Sequence, residues 1–133
     1  MRTAIDSSVL WCLLNGEAEA PGWRKTLERV SREGELVICP VALAEISPAY
    51  ASAGDLMEDL ERLAISYDPI RPSAAWKAGQ IFKSYRKAGG PRQTMIPDFL
   101  IGAHALVQAD RLAAVDRGYL RAYFSTLKLL KPA

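Results

Sequence analysis

Residues 2–14 read RTAIDSSVLWCLL, and their interpretation decides the fold. RTAI is short, mostly apolar and ends on Asp6, whereas SSVLWCLL spaces its apolar residues as a helix does. A strand therefore feeds a helix, with an acid at the junction. The same order recurs along the chain. Strand-like runs occupy residues 2–5, 36–39, 64–67 and 112–115, with a weaker fifth at 127–130. Segments of helical spacing lie at 7–14, 22–32, 41–50, 54–63, 73–87 and 94–109. The strands are mostly continuous apolar runs, as strands covered on both faces are, and strands separated by helices imply right-handed crossovers and a parallel sheet. The expected fold is α/β, a three-layer α/β/α sandwich around a central parallel sheet of four or five strands. Asn15-Gly16, Pro21-Gly22, Gly34, Pro72 and Gly89-Gly90-Pro91 punctuate it. Pro48 removes a backbone donor and should end or kink the 41–50 helix at Ser47.

The 133 residues suit one domain, 1–133, long enough to bury a core. A chain that is 50% hydrophobic and 24% charged has the balance of a globular protein, which excludes disordered and fibrous classes. The longest apolar stretch, 101–107, is interrupted by Gly102 and His104 and falls far short of the ~20 residues of a membrane span. The opening MRTAIDSSVL lacks the apolar core of a signal peptide, so a cytoplasmic location is expected. Cys12 and Cys39 have no CxxC spacing and read as buried, reduced thiols. A net charge of +2 permits a nucleic-acid partner without demanding one.

Of the 15 carboxylates, most lie in polar company. Asp6, Glu45, Asp98 and Asp116 do not. Asp6 ends RTAID, Asp116 ends LAAVD, Glu45 lies in VALAEI, and Asp98 lies in the first turns of TMIPDFLIGAHAL. Neither Glu45 nor Asp98 has a Lys or Arg three or four residues away to pair with. In a parallel sheet Asp6 and Asp116 finish strands at one carboxyl edge, and crossover helices begin there, which brings Asp98 and Glu45 to the same place. Taken singly each acid has an ordinary alternative: a helix N-cap for Asp6 or Asp116, a complement to the helix dipole for Asp98, a surface position for Glu45. Asp68, before Pro69, reads as a turn residue. Clustered carboxylates raise one another's pKa and call for a cation. Oxygen-only ligands favour Mg²⁺ or Mn²⁺, and such ions support in-line displacement at phosphorus.

The ordered set IDSSVL, ALAEI, PDFLIGAHAL and LAAVD followed by an aromatic segment resembles the PIN-domain family, particularly the small VapC ribonucleases of type II toxin–antitoxin pairs. The resemblance covers nearly the whole chain. It implies a PIN-like α/β/α sandwich and Mg²⁺- or Mn²⁺-dependent endonucleolytic cleavage of RNA. Asp6 and Asp98 would be chief metal ligands, Asp116 a direct or water-mediated ligand, and Glu45 the acid that orients or deprotonates water. Many relatives carry Thr or Ser two residues before the last acid, where this chain has Ala114. It further implies a small cognate antitoxin and a homodimer whose face the residues do not identify. The antitoxin would lie along the helix at 9–14 and direct a basic side chain at the acids. Arg86, Lys87, Arg92 and Arg117 are candidate RNA contacts, and Tyr119 and Tyr123 are candidates for base stacking or core packing. His104, six residues after Asp98, should face away from the acids. Two other readings share these features: a non-catalytic PIN-like module that binds RNA or protein, and a metal-dependent phosphatase or phosphoacceptor domain.

Overall fold

All five expected strands form, in a computed structural model that describes residues 1–133. They are β1 (Arg2–Ile5), β2 (Glu35–Ile38), β3 (Ile65–Tyr67), β4 (Arg111–Ala113) and β5 (Lys128–Leu130). Every pairing is parallel and the spatial order is β3-β2-β1-β4-β5. In the central strands Ala4, Ile5, Leu36, Val37, Ile38, Leu112 and Ala113 are all buried. Adjacent residues point to opposite faces of a strand, so helices cover the sheet on both sides, as in an α/β/α sandwich. No helix is long and apolar enough to cross a membrane. Cys12 and Cys39 are buried free thiols.

The helices are α1 (Ser7–Leu14), α2 (Ala20–Glu33), α3 (Pro40–Ile46), α4 (Ala53–Arg62), α5 (Pro72–Lys87), α6 (Pro97–Gln108) and α7 (Tyr119–Tyr123). Prolines set three of their starts. Pro40, Pro72 and Pro97 each occupy the first helical position, where a missing N–H costs nothing and φ is already suitable. The helix carrying Asp98 thus begins at Pro97 rather than at Thr94, because the residue before a proline is steered to extended backbone and Ile96 has φ −84° and ψ 126°. Pro48 acts as expected: α3 stops at Ile46 and the chain continues as one 3₁₀ turn, Ser47–Ala49. The sequence reading did not assign α7 as a helix.

The chain leaves β1 for β2 on one side and later returns to place β4 on the other. The topological switch therefore lies between β1 and β4, at their carboxyl ends, where open α/β sheets bind ligands. Asp6 lies on this line, its N–H donating to the Ala113 carbonyl at 2.9 Å. Helix α6 approaches the same edge closely. A Cβ on Gly102 would stand 2.7 Å from the Phe124 ring, so the glycine lets α6 pack against the segment after α7. Phe99, fully buried on α6, meets Tyr85, Tyr119, Tyr123 and Phe124 at ring-centroid distances of 5.4–6.2 Å. Tyr119 and Tyr123 are thereby committed to this aromatic cluster.

Candidate functional site

Asp6 is the N-cap of α1, and its carboxylate accepts from the Ser8 backbone N–H and hydroxyl. The Ser8 oxygen in turn accepts the Val115 N–H at 3.0 Å, which pins Asp6 to the segment leaving β4. A hydroxyl thus reaches this region from Ser8 on α1, close to where Ala114 supplies none. Burial pushes the Asp6 carboxyl up, the Glu45 charge adds to that, and the Ser8 bonds only partly offset it. Glu45 reaches the site from the penultimate position of α3, and the Ser7 hydroxyl donates to its Oε1 at 2.9 Å.

Asp98 is the second residue of α6. Its carboxylate accepts no hydrogen bond and forms no salt bridge, although it is only half-exposed. Burial pushes it up despite the favourable helix N-terminus, and the charges of Asp6 and Asp116 act in the same direction while Arg117 opposes them. Asp6 and Glu45 likewise form no salt bridge, so three acids gather at one edge without a bonded cation.

Asp116 reaches the same edge but is differently employed. Its Oδ1 accepts from Gly118 N at 2.9 Å and Leu120 N at 3.1 Å, and its Oδ2 from Arg121 N at 3.1 Å and the Arg121 guanidinium at 3.2 Å. Burial would raise this carboxyl, but these donors outweigh it and hold it below the usual carboxylate range. The N-cap of α7 is Gly118, at φ +112°, and Asp116, two residues before it, takes the capping role by accepting the N–H groups of Leu120 and Arg121 in the first turn.

The acids interact in the order Glu45, Asp6, Asp98, Asp116, each charge felt by its neighbour. No three of them meet closely enough in these rotamers to enclose an ion. Mg²⁺ does not require enclosure, since it keeps several waters and takes one or two carboxylates directly. The donor chemistry fits: Asp6 and Asp98 offer hard oxygens that no cationic side chain bonds and whose charge Ser8 and Arg117 offset only in part.

The basic residues divide by employment. The Arg86 guanidinium donates to the carbonyls of Gly90 at 3.1 Å and Arg92 at 3.2 Å, so it ties its own loop to α5. Lys87, Arg92 and Arg117 have exposed side chains in no ion pair. His104 faces away from the acids, as expected: it is buried on α6, with Nε2 2.8 Å from Asp68 Oδ2. Asp68 also accepts Gln108 Nε2 at 3.0 Å and lies 3.4 Å from the Arg2 guanidinium. The expected turn role for Asp68 is therefore corrected to that of a hub joining β1, α6 and the loop after β3. Nothing local signalled it, because its partners lie far away in sequence. A signal for the Asp116 cap was present in Asp116-Arg117-Gly118, an acidic turn residue before glycine.

The chain has the fold of several solved toxin–antitoxin components. A chain of the VapBC2 structure from Rickettsia felis, solved bound to a DNA fragment from their promoter, superposes with a TM-score of 0.75 at 14% identity, covering 98% of both chains. A chain of VapBC-1 from nontypeable Haemophilus influenzae gives 0.71 at 20% identity, again over 98% of each. A chain of a toxin-antitoxin complex from Klebsiella pneumoniae gives 0.69 at 15%, over 98% of each. The comparison with curated proteins finds no match. The model of the PIN domain matches residues 3–125, nearly the whole length, and with the acidic edge between β1 and β4 this places the chain: it belongs to the PIN domain family.

Proposed function

We infer that the protein is a Mg²⁺- or Mn²⁺-dependent endoribonuclease and the toxin of a type II toxin–antitoxin pair, acting in the cytoplasm. One observation carries the reading: Asp6 and Asp98, brought together from β1 and α6, are both pushed up by burial and charge repulsion and have no cationic side chain bonded to them. Isolated buried charge is costly, so a site that keeps it is built for a cation. Asp6 and Asp98 would hold the ion, with Asp116 reaching it through water because its oxygens already accept four donors. When bound, the ion supplies positive charge that neutralises the phosphate and the charge developing during in-line displacement.

The chain's own residues do the rest. Water attacks phosphorus and its proton passes to Glu45, whose Oε2 is left open while Ser7 holds Oε1, as the bond to the leaving oxygen breaks and that oxygen takes a proton from solvent. Ser8 keeps the Asp6 carboxylate in place. Lys87, Arg92 and Arg117 bind flanking phosphates, and Arg86 shapes the loop that presents Arg92. Arg92→Ala and Lys87→Ala should each reduce the slope of log affinity against log salt by about 0.7 on single-stranded RNA. Fluorescence anisotropy with Asp98→Asn as the background measures this, and an unchanged slope removes the residue from the contact set.

A groove of about 590 Å³ between α1, α2 and α4 is lined by Leu10, Leu13, Leu14, Leu27 and Leu63, with Arg24 and Arg62 among its polar walls. An antitoxin segment with apolar residues fits there, and α1 leads from the groove to Asp6. A guanidinium from that segment could satisfy two of the acids and displace the metal. Expression of the chain alone should arrest bacterial growth, and either the product of the adjacent small gene or Asp98→Asn should relieve it. A harmless parent at high soluble expression, with no binding by the neighbouring product, removes the toxin assignment and leaves the nuclease to be judged separately.

A further inference from the structure

Beside the acids, between α1, the turn into α2 and the segment after β4, lies a second cavity of about 430 Å³, within the range of small-ligand sites. Ser8, Trp11, Glu17, Glu19, Val115 and Arg117 line it. We propose that this cavity binds one base of the RNA next to the scissile phosphate and that the base it takes is guanine. The proposal rests on the ribonuclease reading and adds a specificity determinant to it.

Position is the first argument. Ser8 forms part of the cavity wall and also bonds the Asp6 carboxylate, and Arg117 forms another part while its charge reaches Asp98. A nucleotide with its phosphate at the acids therefore has this cavity within reach of its base, with Arg117 placed to hold the connecting phosphate. Stacking is the second. Trp11 is half-buried, packs against the core on one side and lines the cavity outside the other aromatic cluster, so the part of the indole that faces the cavity is placed to cover a base.

Hydrogen bonding chooses among the bases. The Glu17 and Glu19 side chains are exposed and engage no hydrogen-bond or ion-pair partner, and both line the cavity near the Cys12 thiol, which burial and then their charges push up against the opposing charge of Arg24. Two carboxylates offer acceptors only. Guanine alone among the RNA bases presents two adjacent N–H donors on its Watson–Crick edge, N1–H and the N2 amino group, which one carboxylate receives bidentately. Cytosine and adenine set one amino group beside an acceptor nitrogen that a carboxylate repels, and uracil flanks its single N–H with carbonyls. A basic protein side chain would also be drawn to Trp11 between two glutamates, but Arg117 in the same wall opposes a second cation.

Two measurements decide. In the first, the parent and the double variant Glu17→Gln, Glu19→Gln cleave an RNA pool with randomised bases, and the new ends are sequenced. Guanine should be enriched at one position adjoining the cut, and the double variant, altered only at exposed side chains, should lower that enrichment roughly tenfold while still cleaving the pool. Trp11→Phe should keep the preference and Trp11→Leu should lose it. A parent without guanine enrichment, or a double variant that retains it, overturns the proposal. The second is free of catalysis: the indole N–H resonance of Trp11, assigned by its loss in Trp11→Phe, is followed during titration with each nucleoside 5′-monophosphate. A shift with guanosine monophosphate alone, absent in the double variant, supports the pocket even if the parent cleaves nothing and the ribonuclease reading falls. No shift, an equal shift with all four, or a response to arginine amide in place of guanosine monophosphate overturns it.

Discussion

Asp98→Asn should lower RNA cleavage by about a thousandfold or more while making the metal-free protein more stable. The activity loss follows from removing one of two carboxylates that would hold the ion, whose charge stabilisation is worth several kcal/mol at tenfold per ~1.4 kcal/mol. The gain in stability follows from the same geometry. Asp98 is raised by burial and by Asp6 and Asp116, and no group donates a hydrogen bond to it. A carboxyl whose folded pKa exceeds its unfolded value stabilises the fold when protonated, and that contribution is lost as pH rises through the folded pKa. Asparagine removes the charge at nearly the same volume, so melting in EDTA at neutral pH should shift upward. The advantage should shrink as pH falls toward the ordinary carboxylate range, because protonation then does to the parent what substitution did to the variant. His104 and Asp68 titrate in both proteins and cancel in the difference. A melting temperature that drops on substitution would make Asp98 a structural residue.

Asp116→Ala should do the reverse, lowering stability by about 2 kcal/mol, or roughly 8 °C in melting temperature. The substitution strips the acceptor from the backbone N–H groups of Gly118, Leu120 and Arg121 together. Helix α7 has only five residues and cannot persist on propensity, so Tyr119 and Tyr123 should loosen from Phe99. Asp116→Asn retains one accepting oxygen and should cost less. Thermal melts in EDTA compare the two, and equal, small effects would contradict the capping role. Two acids on one sheet edge are thus separated by the sign of their effect on stability.

The contrast shows what the residues made legible. The five strands were located to within two residues because a strand covered on both faces is an unbroken apolar run, and Pro48 marked the end of α3 correctly. Pro97 carried equally clear information about where α6 begins, but the apolar Met95-Ile96 extended the helical pattern past it. Helix α7 escaped because its stability comes from the Asp116 carboxylate and from aromatic packing, and it is too short to show a period. Glu45 and Asp98 stood out as acids without local partners and Asp6 as an acid ending an apolar strand, and the structure brings them to one edge without bonded cations. Asp68 read as an ordinary turn residue before Pro69, yet it binds His104 and Gln108 across a separation that only the fold closes. Arg86 looked interchangeable with Lys87 in sequence, and only the loop carbonyls at Gly90 and Arg92 distinguish them.

The central claim is that this acidic edge is a metal-dependent ribonuclease site, and the most direct test is cleavage of single-stranded RNA by the purified chain across a titration of Mg²⁺ or Mn²⁺ against EDTA. The account predicts internal cleavage that appears with the metal, saturates and disappears in excess chelator. Cleavage undiminished in excess EDTA, or none at any metal concentration from a folded protein, would contradict it.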